Sequence, residues 1–207
     1  MPNSCPLTRA SASRGARGIR MIFAQWRARR ASKALIEQIL GEIVAAARRP
    51  ALYQALGVPD QIDGRFELLT LHAGLVLRRL SALGGLADAI AQDLVNSVFT
   101  HFDDTLREMG YSDLAVAKRL KAMGGAFYGR NAAYAAALDD GSAGGLAAAL
   151  ARNVYGKPRE DKAQAAEALS RHVAQLDADL AAIPIETFAT GRFRFPPGSI
   201  PAGDRND

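Results

Sequence analysis

The chain has 207 residues, 49% apolar and 23% charged, which suits one globular domain with extensions and excludes a wholly disordered chain. Its formal net charge of +5 is uneven: residues 1–36 hold eight Lys or Arg and no acid, so residues 37–207 carry a net −3. The basic pI therefore reflects a leader rather than a nucleic-acid-binding body, and the single cysteine, Cys5, excludes an internal disulfide.

Residues 1–20 are rich in Ser, Ala, Gly and Arg without periodicity and read as a disordered basic leader lacking the apolar segment of a secretory signal. Met21 opens a different texture and is a candidate start. Phe23 and Trp26 beside Arg27, Arg29, Arg30 and Lys33 have the composition of a membrane contact, with rings for the interface and cations for anionic headgroups. A first helix is expected from about residue 24 to Arg49. Leu35, Ile36, Ile39, Leu40, Ile43 and Ala47 form its apolar face, and Pro50 ends it. A short segment stops at Gly57, Pro59-Asp60 marks a turn, and Asp63 is the expected cap of the next helix, which runs to about Leu83. That helix is apolar around most of its circumference, with Glu67, Thr70, Gly74, Arg78 and Ser81 as a polar strip, so it should be the central one.

Gly84-Gly85 breaks the chain. Leu86–Met109 reads as a helix with Leu94, Val95, Val98, Phe99, Phe102 and Leu106 toward the core. A further helix reaches about Leu138, a Ser142-capped helix reaches about Tyr155, and a last one spans about 161–182 with Ala166, Leu169, Val173, Leu176 and Leu180 on one face. The fold class is all-α: a single compact bundle of about six helices over 21–183, flanked by the basic leader and by an extended or disordered tail over 184–207. No apolar run reaches the roughly 18 residues that crossing a bilayer requires.

The segment 112–134 is unusual. Val116, Leu120, Met123, Phe127, Tyr134 and Leu138 make an apolar stripe, yet Gly124, Gly125 and Gly129 lie within the same helix. Each interior glycine costs a helix about 1 kcal/mol relative to Ala, so the glycines suggest close approach of another body. Lys118, Lys121 and Tyr128 lie beside them, away from the stripe, and a face of this kind suits binding better than catalysis.

Other candidates have structural readings of comparable weight. Asp103 and Asp104 follow His101, but neighbouring helical residues point about 100° apart, so a metal site is not expected. Asp103 suits an i, i+4 pair with Arg107, and both acids also suit partner recognition. His72 on its apolar helix reads as a satisfied core histidine rather than a general base or haem ligand. Arg65, Arg119 and Arg130 serve either as ion-pair partners of Asp60, Asp63, Asp103 or Asp104 or as contacts to a partner. No nucleophile elbow, phosphate loop or His-Glu-x-x-His motif occurs, so no enzyme activity, cofactor or metal is expected.

From Pro50 to Tyr134 the chain resembles the ubiquinol–cytochrome c chaperone family, and the basic start after Met21 resembles its bacterial members. The resemblance rests on Tyr53, Leu56-Gly57-Val58-Pro59-Asp60, Asp63-Gly64-Arg65-Phe66-Glu67 and Leu71-His72 with Arg78-Arg79-Leu80. It continues through Phe99-Thr100-His101-Phe102-Asp103-Asp104, Leu106-Arg107-Glu108-Met109-Gly110 and Asp113-Leu114. It closes on Lys118-Arg119, Lys121, Met123 and Phe127-Tyr128-Gly129-Arg130 with Tyr134. It implies a non-enzymatic assembly chaperone for ubiquinol–cytochrome c reductase that binds newly made cytochrome b; family members in mitochondria also associate with the ribosome and with a small partner protein.

The combined expectation is a client surface of Arg65, Asp103, Asp104, Lys118, Lys121, Gly124, Gly125, Phe127, Tyr128 and Arg130. The protein would sit in the cytoplasm, peripheral on the inner face of the cell membrane, or in the mitochondrion of a eukaryote. Its partners would be cytochrome b and the anionic membrane surface, with no DNA. The rival reading is an RNA- or ribosome-binding helical module, supported by the leader and the Lys118–Lys121 run.

Overall fold

The computed structural model describes residues 32–156 and 160–199. The leader over 1–20, the membrane-contact residues Phe23, Trp26, Arg27, Arg29 and Arg30, the start of the first helix and residues 200–207 lie outside that range. Among the described residues every regular element is helical: α1 (32–47), α2 (Pro50–Gln54), α3 (Ile62–Leu83), α4 (Leu86–Glu108), α5 (Asp113–Asp139), α6 (Ala143–Val154), α7 (Glu160–Ala181) and α8 (Ile185–Ala189). None is long and apolar enough to cross a membrane.

The helix ends follow local chemistry. Pro50 stops α1 and opens α2, because its missing N–H and fixed φ suit a first helical position. Gly84 and Gly85 both have positive φ, which makes a sharp break between α3 and α4 that other residues would resist. Ser142 caps α6, its Oγ accepting from the Gly145 N–H at 3.0 Å. Asp63 does not cap α3 as expected: the N-cap is Gln61, without a side-chain bond, and Asp63 sits in the first turn. There a carboxylate still favours the positive end of the helix dipole.

Helix α3 is the hub, touching α4, α5, α6 and α7. Leu68, Leu71, Ala73, Leu75, Val76 and Leu80 are all 2% exposed or less. The expected apolar faces of the later helices also point inward: Leu94, Val98, Phe102 and Leu106 on α4, and Ala166, Leu169, Val173, Leu176 and Leu180 on α7, are buried. His72 is a core residue, as expected. Its Nδ1 lies 2.7 Å from the Leu68 carbonyl oxygen, the ring packs 5.2 Å from that of Phe195, and burial lowers its pKa to about 4.

Polar ties join the helices at their ends. Arg78 reaches Asp139 at 2.7 Å and Asp177 at 3.1 Å, linking α3, α5 and α7. Arg79 donates twice to the Ile183 carbonyl just past α7.

The segment after Ile183 departs from a free tail. Phe188, Phe193 and Phe195 are buried, and the rings of Phe188 and Phe193 stack at 4.8 Å. Residues 190–199 are irregular but strapped to α1 and to Arg49 just after it. Gln38 donates to the Phe193 carbonyl at 2.6 Å, Glu42 accepts from the Phe195 N–H at 3.1 Å, and Arg49 donates to the Pro197 carbonyl at 2.6 Å. Helical periodicity could not reveal this, because the three phenylalanines straddle a turn at Gly191 and gain burial only against distant helices.

Candidate functional site

The expected surface divides when placed on the fold. On α5 the inner stripe is as expected: Val116, Phe127 and Tyr134 are buried and Leu120, Met123 and Leu138 half-buried. Lys118, Lys121, Gly125, Tyr128 and Gly129 face outward. A side chain placed at Gly125 or Gly129 would meet nothing within 4 Å, and at Gly124 it would make ordinary contact with Phe99 at 3.7 Å. The glycines are therefore not filled by another part of the described chain.

Tyr128 completes this face. It is 59% exposed, and its ring stands on an aromatic wall: Phe99 lies stacked at 6.3 Å and Phe127 edge-on at 5.4 Å. The neighbours hold the ring in place while leaving its outer surface in water, which suits an apolar contact to a partner. Beside it, a groove of about 500 Å³ runs between α3, α4 and α5, with Leu75, Val95, Tyr134 and Leu138 among its walls. This groove was not legible in the sequence, since its walls come from three helices whose half-buried residues look like ordinary core positions.

Two expected members of the surface are elsewhere. Phe127 is 1% exposed and belongs to the core, so it can support Tyr128 but not touch a partner. Arg130 turns inward, and its Nη2 lies 2.7 Å from Glu67 Oε1, with its guanidinium 5.4 Å from the Phe66 ring centre. The expected acids, Asp60, Asp63, Asp103 and Asp104, are not its partners in this structure.

Glu67 is itself buried, and its second oxygen, Arg130 Nε and Nη1, Thr70 Oγ1, Asn131 Nδ2 and Tyr134 OH have no hydrogen-bond partner among the described residues. Burial pushes the Glu67 carboxyl up to about 7, with Arg130 opposing the shift. Glu67 and Thr70 of the polar strip of α3 thus belong to a buried polar cluster between α3 and α5, whereas Arg78 is half-buried and Ser81 exposed.

The remaining expected residues lie on the other side of the α4–α5 corner. Asp103 accepts from Arg107 Nε at 2.6 Å, the i, i+4 pair expected, and Arg107 also contacts Asp113 across the turn to α5. Arg65 pairs with Asp60 at 2.7 Å, and that bond lowers the Asp60 pKa. Asp104 is exposed. Arg119 lies over the Tyr111 ring at 4.2 Å. No group of three or more His, Cys, Asp or Glu residues able to hold a metal occurs among the described residues.

Comparisons with known proteins agree with this architecture. The model of the ubiquinol-cytochrome C chaperone family matches residues 54–195, more than half of the chain and well past the Pro50–Tyr134 segment that carries the resemblance. The chain is similar to the crystal structure of the Cbp3 homolog from Brucella abortus, at 35% identity and a TM-score of 0.77, over 89% of this chain and 99% of that one. No curated protein matches the chain. The match of the family model and the near-complete structural correspondence place this chain in the ubiquinol–cytochrome c chaperone family.

Proposed function

We propose that this chain is a non-catalytic chaperone that binds newly made cytochrome b and supports assembly of ubiquinol–cytochrome c reductase. The observation that carries the reading is the family match over residues 54–195. The outward face of α5 supports it physically. Gly125 and Gly129 lie four residues apart on one exposed side, the small-residue spacing that lets helix backbones approach closely. Tyr128 offers apolar area, and Lys118 and Lys121 offer charge for acidic groups or lipid phosphates. Gly124 lies beside this face, against Phe99; Asp103, Asp104 and Arg65, beyond the α4–α5 corner, are proposed as a second client contact, and Arg130 and Phe127 act from behind the α5 face.

Residues 21–33, just after the leader, are proposed to hold the protein at an anionic membrane surface, each Lys or Arg adding about 1 kcal/mol of attraction. A strain lacking the protein should show low cytochrome b by difference spectrum and normal turnover per remaining complex. Pull-down from detergent-solubilised membranes should recover cytochrome b. Normal cytochrome b content in the deletion strain would refute the assignment. Recovery of ribosomal RNA without cytochrome b would favour the RNA-binding alternative.

A further inference from the structure

A second cavity, of about 350 Å³, lies between α1, α3, α4 and Met123 on the inner side of α5, and none of the outward residues of α5 lines it. That volume is within the range of small-molecule sites. Its interior is apolar: Ala47, Leu69, Phe102 and Leu106 are buried walls, and the rings of Phe66 and Phe102 meet at 5.1 Å. Ile62 and Met109 are also part of the lining yet 57% and 40% exposed, so the apolar surface continues out to solvent.

The polar groups of the lining carry no negative charge. Apart from Thr105, whose hydroxyl donates to the His101 carbonyl of its own helix, they are Arg48, Arg65 and His101. No carboxylate lines the cavity. The acids that act on Arg65 and His101 are not among the lining residues: Asp60, which pairs with Arg65 at 2.7 Å, and Asp104 and Glu108, which act on the His101 ring. Burial and the Arg48 charge lower the His101 pKa, which places Arg48 and His101 in one local field. Most lining residues sit inside helices, where backbone N–H and C=O groups bond one another, so the cavity offers little to a peptide backbone. An apolar hole with a cationic edge complements an apolar body with an anionic head.

We infer that this cavity binds an anionic membrane lipid, with one acyl chain against Phe66, Leu69 and Phe102 and the headgroup phosphate between Arg48, Arg65 and His101. The inference does not depend on cytochrome b being the client. An occupied cavity would give the protein a lipid contact independent of the leader. It would also place the α1–α4 side of the bundle against the membrane, leaving the outward face of α5 free for a client.

The test uses the full chain with its four methionines methyl-labelled. Met109 and Met123 line the cavity, whereas Met1 and Met21 report on the leader. Monomeric lysophosphatidylglycerol is titrated against lysophosphatidylcholine of equal chain length. The anionic lipid should shift Met109 and Met123 and bind about tenfold tighter than the zwitterionic one. Affinity should rise about fourfold per added methylene until the cavity fills. Arg48→Glu, an exposed position, should remove the headgroup preference while leaving the helical CD spectrum intact. Thr105→Phe should block the chain, and a folded Thr105→Phe protein that binds as the parent does would overturn the assignment. So would shifts confined to Met1 and Met21, equal affinity for the two lipids, or an unchanged preference in Arg48→Glu. Perturbation of Met109 and Met123 by an acidic apolar peptide that lysolipid fails to displace would replace the lipid with a client side chain.

Discussion

Glycine-to-alanine substitutions at three helical positions should give opposite signs, and the structure supplies the reason for each. At Gly125 a new Cβ meets nothing within 4 Å, so Ala contributes only its better helix propensity, about 1 kcal/mol of added stability. For a domain of this size that raises Tm by about 2–4 °C. At Gly64 the same Cβ would lie 2.0 Å from the Pro59 carbonyl oxygen. Backbone cannot swing aside as a side chain can, so the α3 start must shift, at a cost of about 1–3 kcal/mol or more. At Gly74 the clash is with Asn131 Oδ1 at 1.9 Å, a side-chain atom at the α3–α5 crossing. Gly74→Ala should therefore destabilise, and Asn131→Ala in the same chain should relieve part of the loss, a coupling that a double-mutant cycle reads directly. Urea denaturation followed by far-UV CD gives the three values, with the slope checked for two-state behaviour. A destabilised Gly125→Ala protein would show that the glycine face is packed in the free molecule and would refute its assignment as an open binding surface. If Gly125→Ala is stable, Gly125→Leu should retain the fold and lose cytochrome b in the pull-down.

The buried groups predict a pH dependence with two opposing parts. Glu67 titrates at about 7 in the fold against 4.5 ordinarily, so the folded state holds the extra proton and stability rises as pH falls from 7 to 4.5. His72 titrates at about 4 against 6.5, so the unfolded state takes the proton first and stability falls as pH drops from 6.5 to 4. Each part amounts to at most about 3 kcal/mol. Glu67→Gln should leave the His72 contribution alone and steepen the acid loss between pH 6.5 and 4.5; unaltered urea midpoints across that range would contradict the placement. Arg130→Ala should be strongly destabilising at pH 8, where Glu67 becomes an unpaired buried carboxylate, and milder at pH 5.5, where the carboxyl is protonated. Equal losses at both pH values would show that the pair is not the cause. Tyr128→Ala together with Asp104→Ala, both at exposed positions, should lower the unfolding free energy by no more than about 2 kcal/mol, from the Phe99 and Phe127 ring contacts, and lower cytochrome b recovery; full recovery would remove both residues from the client site. A chain starting at Lys33 should lose binding to anionic liposomes that depends on residues 21–32, and high salt should weaken binding of the full chain.

What the sequence by itself determined is most of what local spacing governs, the Asp63 cap excepted. The number and order of the long helices, the inward stripe of α5, the apolar faces of α4 and α7, the Ser142 cap and the Asp103–Arg107 pair all follow from residues within about two turns of one another. Family membership was legible for a related reason, since ordered short motifs survive in the linear chain. Only the tertiary structure decided which partner each buried charge took. Arg130 had four candidate acids, Asp60, Asp63, Asp103 and Asp104, in a linear reading, and the α3–α5 crossing, made close by Gly74, gave it Glu67 instead. The two cavities and the burial of Phe188, Phe193 and Phe195 were equally hidden, because each needs helices far apart in sequence to arrive side by side. Periodicity reports which face of a helix turns inward; it carries no information about what waits there, and for a buried ion pair or a cavity wall that neighbour is the whole of the chemistry.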